Sequence, residues 1–239
     1  MDDRRMHWEA AVEELYAAFA SVPRPAELPG CPCCVGPDAG APLLARPLRR
    51  LSAEELATYA FRALTTWGDV AEFRYFAPRL LELAADDAFG WPDPEIVFGK
   101  LALAGWRDWP EQRAITAFLE AFWARTLAEF PARPDAGTAL SSIAQAVDDL
   151  APYLAAWERL DTGASIRHLH DFVTEKLVWR HGRPRLHNAL WDRVDGPYHQ
   201  TLAWLVEGPA AEAVAAAFER ADEEELLELL VAVEGMLRP

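Results

Sequence analysis

Residues 108–126 read DWPEQRAITAFLEAFWART, and this stretch decides the predicted fold. Asp108 precedes a proline and a glutamate, a combination typical of the first turn of a helix. Behind that start, side chains recur with the i, i+3, i+4, i+7 spacing that lines one face of an α-helix: Ile115, Phe118, Leu119, Phe122 and Thr126. A similar period recurs along nearly the whole chain, and we therefore predict an all-α protein.

Capping signals mark further helix starts. Ser52 with Glu55, and Asp69 with Glu72, each have the spacing of a capping box. Pro78 falls inside the apolar pattern of the second of these helices, where we expect a kink or a break. Later helices are predicted near residues 137–147, 149–160, 163–180, 187–193, 196–207, 209–220 and 222–237. Sustained two-residue alternation with β-branched enrichment is missing from the sequence, so we do not expect a sheet.

The predicted domain organisation is a single all-α domain, residues 1–239, of about ten or eleven helices. Two arrangements fit this pattern: an irregular multi-helix bundle, or a HEAT-like stack of antiparallel helix pairs. The pairs recur about every 30–45 residues, as in solenoids, but no residue signature repeats with them. Residues 21–51 are the exception. They form a predicted irregular loop, rich in Pro and Gly and longer than most connections.

Composition narrows the function classes. The 239 residues carry a net charge of -15, which disfavours nucleic-acid binding, and 51% are hydrophobic, which is too many for a disordered chain. No apolar run approaches the ~18 residues of a membrane helix, and the charged N-terminus lacks a signal-peptide core. We expect a cytoplasmic protein that binds neither nucleic acid nor membrane. Having only two lysines beside many Ala and Pro residues indicates a GC-rich bacterial genome.

All three cysteines lie in the tetrad Cys31-Pro32-Cys33-Cys34. An odd count with no distant cysteine does not build a disulfide framework. Three thiols in a Gly/Pro-bounded loop instead suit one soft metal ion, Zn(II) or Cu(I), with Cys31, Cys33 and Cys34 as ligands. A zinc site needs a fourth ligand, for which a histidine such as His7 is a candidate. The alternative is a loop without a ligand, in which the cysteines pack as small, partly buried hydrophobic side chains.

The same tetrad resembles the C-P-x-C active-site motif of glutaredoxins, whose thiolate is stabilised at a helix N-terminus. That resemblance implies thiol exchange. In glutaredoxins, however, the motif follows a strand and opens a helix. Here Val35-Gly36-Pro37 follows, which does not continue as a regular helix, and no strand is predicted before it.

A second candidate site is basic. Residues 176–187 contain four cations, two histidines and no acid: Lys176, Arg180, His181, Arg183, Arg185 and His187. We predict that they bind an anion or an acidic partner, because arginine pairs well with carboxylate and phosphate groups. The alternative is favourable placement of cations at the end of a helix.

The sequence contains no recognisable catalytic motif. We therefore favour a non-enzymatic helical interaction protein, such as a scaffold, adaptor or chaperone-like protein, with a protein partner. The alternative function is a thiolate metal-binding protein that uses the cysteine loop, with zinc as the implied cofactor. An active site assembled from distant residues is a third hypothesis. The sequence does not indicate an oligomeric state.

Overall fold

The structure is a computed structural model that describes residues 3–187, 190–191 and 195–237. Helices make up 67% of the chain, which confirms the all-α class. Among the described residues there are twelve α-helices, eleven of them of seven residues or more. In chain order they are α1 (Asp3–Ala18), α2 (Ala41–Ala45), α3 (Ala53–Arg62), α4 (Val70–Ala85), α5 (Pro94–Ala104), α6 (Gln112–Ala128), α7 (Ala136–Ala146), α8 (Ala151–Glu158), α9 (Gly163–Lys176), α10 (Asp195–Val206), α11 (Pro209–Phe218) and α12 (Glu224–Leu237).

The chain divides into two compact units, Met1–Phe122 and Trp123–Pro239, so that the boundary falls within α6. Each unit has its own aromatic core. In the first, the Tyr59 ring is fully buried, with its centroid 4.8 Å from that of Phe76. In the second, Trp157 is fully buried and contacts three other rings: Trp123, Phe172 and Trp204. A single domain over residues 1–239 stays a prediction, as does the choice between a bundle and a HEAT-like stack.

Both predicted capping boxes are present. The Ser52 hydroxyl accepts a hydrogen bond from the Glu55 amide, and the Glu55 carboxylate accepts one from the Ser52 amide. The corresponding pair of bonds joins Asp69 and Glu72 at the start of α4. Pro78 does not break α4, which continues to Ala85. A proline inside a helix removes one hydrogen bond and crowds the carbonyl four residues before it. The buried face of α4 offsets that cost, and the helix continues.

One predicted helix end is wrong. The helix expected over residues 163–180 ends at Lys176, and an antiparallel hairpin of β1 (Leu177–Arg180) and β2 (Arg183–Leu186) follows. The turn residues His181 and Gly182 have φ values of +52° and +72°, as a type I′ hairpin turn requires. The expectation that the chain has no sheet is therefore wrong at this hairpin. The helix predicted near 187–193 falls largely on residues 188–189 and 192–193, which lie outside the described residues.

The cysteine segment is mostly irregular. Within residues 21–51 the regular elements are α2 and a short 3-10 turn at Leu48–Arg50. The short helix α2 was not expected from the sequence, because five residues are too few to show a periodic pattern. Across the part of the chain that the structure describes, no helix has both the length and the apolar character needed to cross a bilayer.

Candidate metal centre

The cysteine segment is attached through its backbone to residues 62–68, which are the last residue of α3 and the six residues after it. The Cys31 amide donates a hydrogen bond of 2.8 Å to the carbonyl of Thr66. Two residues further along residues 62–68, the Gly68 amide donates a hydrogen bond of 2.7 Å to the carbonyl of Pro29. Backbone bonds of this kind leave the cysteine side chains free for other contacts. We call residues 62–68 the strap, because they hold the entry to the cysteine turn.

The cysteines themselves lie in a tight turn. The amides of Cys34 and Val35 both donate to the carbonyl of Cys31, each over 2.9 Å. The Arg62 guanidinium, at the start of the strap, donates to the carbonyl of Cys34. Gly30 precedes the turn, and a Cβ atom there would lie only 2.6 Å from the Cβ of Val35, which is buried. The turn is thus closely packed on one side and fixed at both ends.

This turn brings the three thiols together. The Sγ atoms of Cys31 and Cys33 are 2.9 Å apart, and those of Cys33 and Cys34 are 3.3 Å apart. All three sulfur atoms lie within 4.8 Å of one another. Sulfur ligands of a tetrahedral zinc ion, with Zn–S bonds of about 2.3 Å, are roughly 3.8 Å apart. A soft metal ion therefore needs only small side-chain rotations to contact all three.

Hydrogen bonding separates the thiols in acidity. Bonds from the Cys33 thiol and then from the Cys33 amide lower the pKa of Cys31, with smaller contributions from the thiol and amide of Cys34. The hydrogen bond with Cys31, followed by that with Cys34, raises the pKa of Cys33 to about 11. Of these two thiols, Cys31 is therefore the one that more readily becomes the thiolate. Amide N–H groups that point at a sulfur stabilise it as an anion, and the thiolate is the form that binds metals.

A fourth ligand is not part of this cluster. Among the described residues the group contains three sulfur atoms and no histidine. His7, the candidate named from the sequence, is an exposed residue of α1. Cys33 and Cys34 are both exposed, and Cys31 is partly exposed. A metal ion bound here would have a coordination position facing solvent.

A cleft of about 620 Å³ adjoins the turn. It is lined by residues on either side of the cysteines, among them Leu28, Pro32, Val35, Asp38 and Leu44. Most of its wall is apolar, and Asp38 is an exposed carboxylate in it. The residues that line it include Pro32 but none of the three cysteines, so the cleft lies beside the thiols and does not contain them.

The six predicted basic residues do not all come together. Arg180, Arg183 and Arg185 are exposed and lie on the hairpin, as do the exposed residues His181 in its turn and His187 just beyond β2. Lys176 is different, since it ends α9 and its ammonium group lies 3.4 Å from the carboxylate of Glu175.

Lys176 also lines a small cavity of about 90 Å³ in the second unit, beside His168 and Asp171. The buried His168 ring is hydrogen-bonded through Nε2 to the carbonyl of Glu129, 2.6 Å away. Because this hydrogen bond satisfies the buried ring, we interpret His168 as a core residue. The cavity is too small for an organic ligand of ordinary size.

Sequence reasoning missed the strap. Arg62 and Thr66 carry no motif, and they contact the cysteine turn across about thirty residues of chain, a separation at which local patterns give no signal. Gly30 was a usable signal, since a glycine directly before a turn often marks a close backbone approach. A comparison of the chain with protein-family models, with curated proteins and with solved structures finds no match to any of them.

Proposed function

We propose that this protein binds one soft metal ion, Zn(II) or Cu(I), through Cys31, Cys33 and Cys34. The observation that carries the proposal is the convergence of three Sγ atoms within 4.8 Å on one turn. Thiolates are the preferred protein ligands of both ions. The neighbouring groups support the proposal, because hydrogen bonds from the Cys33 thiol and amide lower the pKa of Cys31 and so favour its thiolate.

The proposed site is one for exchange of the ion with another ligand. Three thiolates satisfy Cu(I) in a trigonal arrangement and leave Zn(II) one ligand short. Cys33 and Cys34 are exposed, so water or a donor group from another molecule can take the open position. The strap and the turn are also joined by their own backbone hydrogen bonds, and we therefore expect the fold to persist without the metal, unlike that of a zinc finger.

The test is metal titration of the reduced protein under anaerobic conditions, which keeps adjacent thiols from oxidising. We expect one Zn(II) or one Cu(I) per chain, with a Co(II) derivative showing sulfur-to-metal charge transfer. Cys33→Ser and Cys34→Ser each weaken binding by about a hundredfold. Asp38→Asn, which removes an exposed carboxylate from the adjoining cleft, is the matched control and keeps the wild-type affinity.

The same titration can also contradict the metal-binding proposal. If the reduced wild-type protein takes up neither ion at micromolar concentrations, or if Cys33→Ser binds as tightly as the wild type, the proposal is wrong. Equal losses in Cys33→Ser and Asp38→Asn would point to adventitious surface binding. Circular dichroism of each variant shows whether the helices are intact, so that unfolding is not mistaken for loss of the site.

The interaction hypothesis and the enzyme hypothesis stay predictions, as does the cytoplasmic location. The cysteine cluster supports the metal hypothesis over them, because it has a defined geometry and a defined ligand chemistry. A scaffold function requires a surface whose chemistry indicates the class of partner that binds there. The described residues offer one surface of that kind, on the β1–β2 hairpin.

A further inference from the structure

The β1–β2 hairpin has one apolar and one basic face. Side chains alternate along a strand, and directly paired residues share a face. The pairs Leu177–Leu186 and Trp179–Pro184 make up the apolar face. Both leucines are buried, and the Trp179 indole donates a hydrogen bond of 3.1 Å to the carbonyl of Met236 in α12. This face is therefore the one that attaches the hairpin to its unit.

The opposite face carries Val178, Arg180, Arg183 and Arg185, which we call the arginine face. All three arginines are exposed, and none forms an ion pair with an acid among the described residues. Other arginines of the same unit do have such partners: Arg159 pairs with Asp161, and Arg167 pairs with Glu225. In a chain with a net charge of -15, three unpaired cations on one face are unexpected.

The register makes this arrangement costly. Arg180 and Arg183 are directly opposite each other next to the turn. Like charges at directly opposed positions destabilise an antiparallel pair, whereas opposite charges there stabilise it. The hairpin thus carries a repulsion that a single acidic residue at either position would remove. A partner that brings carboxylates to this face would relieve the same repulsion.

The face of the hairpin, more than its β2 edge, is open to a partner. In a two-residue hairpin the residues flanking the turn, here Arg180 and Arg183, form a hydrogen-bonded pair, and the next pair, Trp179–Pro184, directs its backbone groups outward. Pro184 has no amide hydrogen, so the β2 edge lacks a donor where an added strand would need one. A partner would therefore bind this strand through the side chains of the arginine face.

We propose that the arginine face binds an acidic polypeptide segment of a partner protein. Each guanidinium can hold a carboxylate through two parallel hydrogen bonds, and arginine is enriched at protein interfaces. Val178 adds a half-buried apolar side chain to the same face. Nucleic acid is a poorer occupant, because three arginines neutralise few phosphates and the remaining charge of the chain repels a polyanion. This proposal is independent of the metal site.

The experiment measures fluorescence anisotropy of a labelled oligoglutamate peptide with the full chain at low ionic strength. We expect the triple variant Arg180→Gln, Arg183→Gln, Arg185→Gln to bind about tenfold more weakly than the wild type. The matched control is Arg133→Gln, Arg159→Gln, Arg220→Gln, which removes the same charge from exposed positions of the same unit. That control is expected to lose less than about twofold.

Three results overturn the proposal. Equal losses in the two triple variants would mean that only overall charge matters. Tighter binding of a DNA duplex than of oligoglutamate would replace the partner class with nucleic acid. Concentration-dependent self-association that the hairpin variant abolishes would make a second copy of the chain the occupant. Metal titration of the same variants gives an unchanged stoichiometry whether or not the peptide binds, so this proposal and the metal proposal fail separately.

Discussion

The cysteine turn and the β1–β2 hairpin are two short non-helical segments in a helical chain, and they concentrate reactive groups in different ways. In the cysteine turn, residues within one four-residue tetrad meet because the backbone folds back to the carbonyl of Cys31. In the hairpin, strand pairing sets Arg180 against Arg183 and leaves Lys176 out. The first segment depends on a distant strap, and the second on its own register. A mutation that displaces the cysteine turn should therefore change metal binding, and a mutation in the hairpin turn should change the arginine face.

The largest expected effect is at Gly30. A methyl group there would lie 2.6 Å from the Cβ of Val35, so Gly30→Ala must displace the cysteine turn. We expect metal affinity to fall by about ten- to a hundredfold, at a stability cost of about 1–3 kcal/mol. Gly36→Ala is the matched control, because a Cβ atom at Gly36 meets nothing within 4 Å. Metal titration and urea denaturation measure both quantities; equal affinities for the two variants would show that the turn tolerates displacement.

The next effect is at Gly182 in the hairpin turn. Its φ of +72° is strained for alanine but accessible to asparagine. Gly182→Ala should weaken the hairpin by about 1 kcal/mol, and Gly182→Asn by much less. Hydrogen exchange of the His187 amide, which is bonded to the carbonyl of Lys176 over 2.7 Å, reports this opening. Metal binding at the cysteine turn should not change in either variant, and a change there would mean that the two segments do not act separately.

A smaller effect of opposite sign is expected from Arg183→Glu. This change replaces the Arg180–Arg183 repulsion with an attraction across the strands. Cross-strand charge pairs contribute about 0.5 kcal/mol, so exchange of the His187 amide should slow by about twofold. Binding of oligoglutamate should weaken in the same variant. Arg185→Glu is the control, since Arg185 is opposite Val178 and gains no directly paired charge; slower exchange in that variant too would show that register is not the cause.

The smallest effect concerns α3, which leads into the strap, and α9, which leads into the hairpin. Glu55 closes the capping box of α3, and its hydrogen bonds with the Ser52 amide and hydroxyl lower the pKa of Glu55, with a further contribution from Arg46. A lowered carboxyl pKa adds stability above the unfolded value, and that stability is lost as the pH falls through the folded value. The box of α9 joins Thr162 and Ser165, and neither titrates.

Wild-type protein should therefore lose slightly more stability than Glu55→Gln between a pH of about 6 and about 3.5. Urea denaturation at both pH values measures the difference. The NMR shift of the Ser52 amide should titrate over this range while that of Thr162 does not. If both amides titrate alike, the acid sensitivity does not come from the α3 cap.

Local patterns predicted most helices because their causes are local. The Ser52 and Asp69 capping boxes, and the period of residues 108–126, involve residues at most a few positions apart. The hairpin was missed because Leu177, Val178 and Trp179 continue the apolar pattern of α9 for a few residues. A short apolar run fits either a strand or the end of a helix. Only the left-handed turn at His181 and Gly182 distinguishes the two structures here.

By itself the sequence determined the all-α class and the nearness of the three cysteines, since residues within one tetrad cannot lie far apart. Tertiary structure decided how the thiols are held and which cations share a face. The strap joins Thr66 to Cys31, and the ladder pairs Arg180 with Arg183 while Lys176 lies beside Glu175. The first outcome depends on a contact between distant segments and the second on strand pairing across a tight turn, and apolar periodicity along the chain predicts neither.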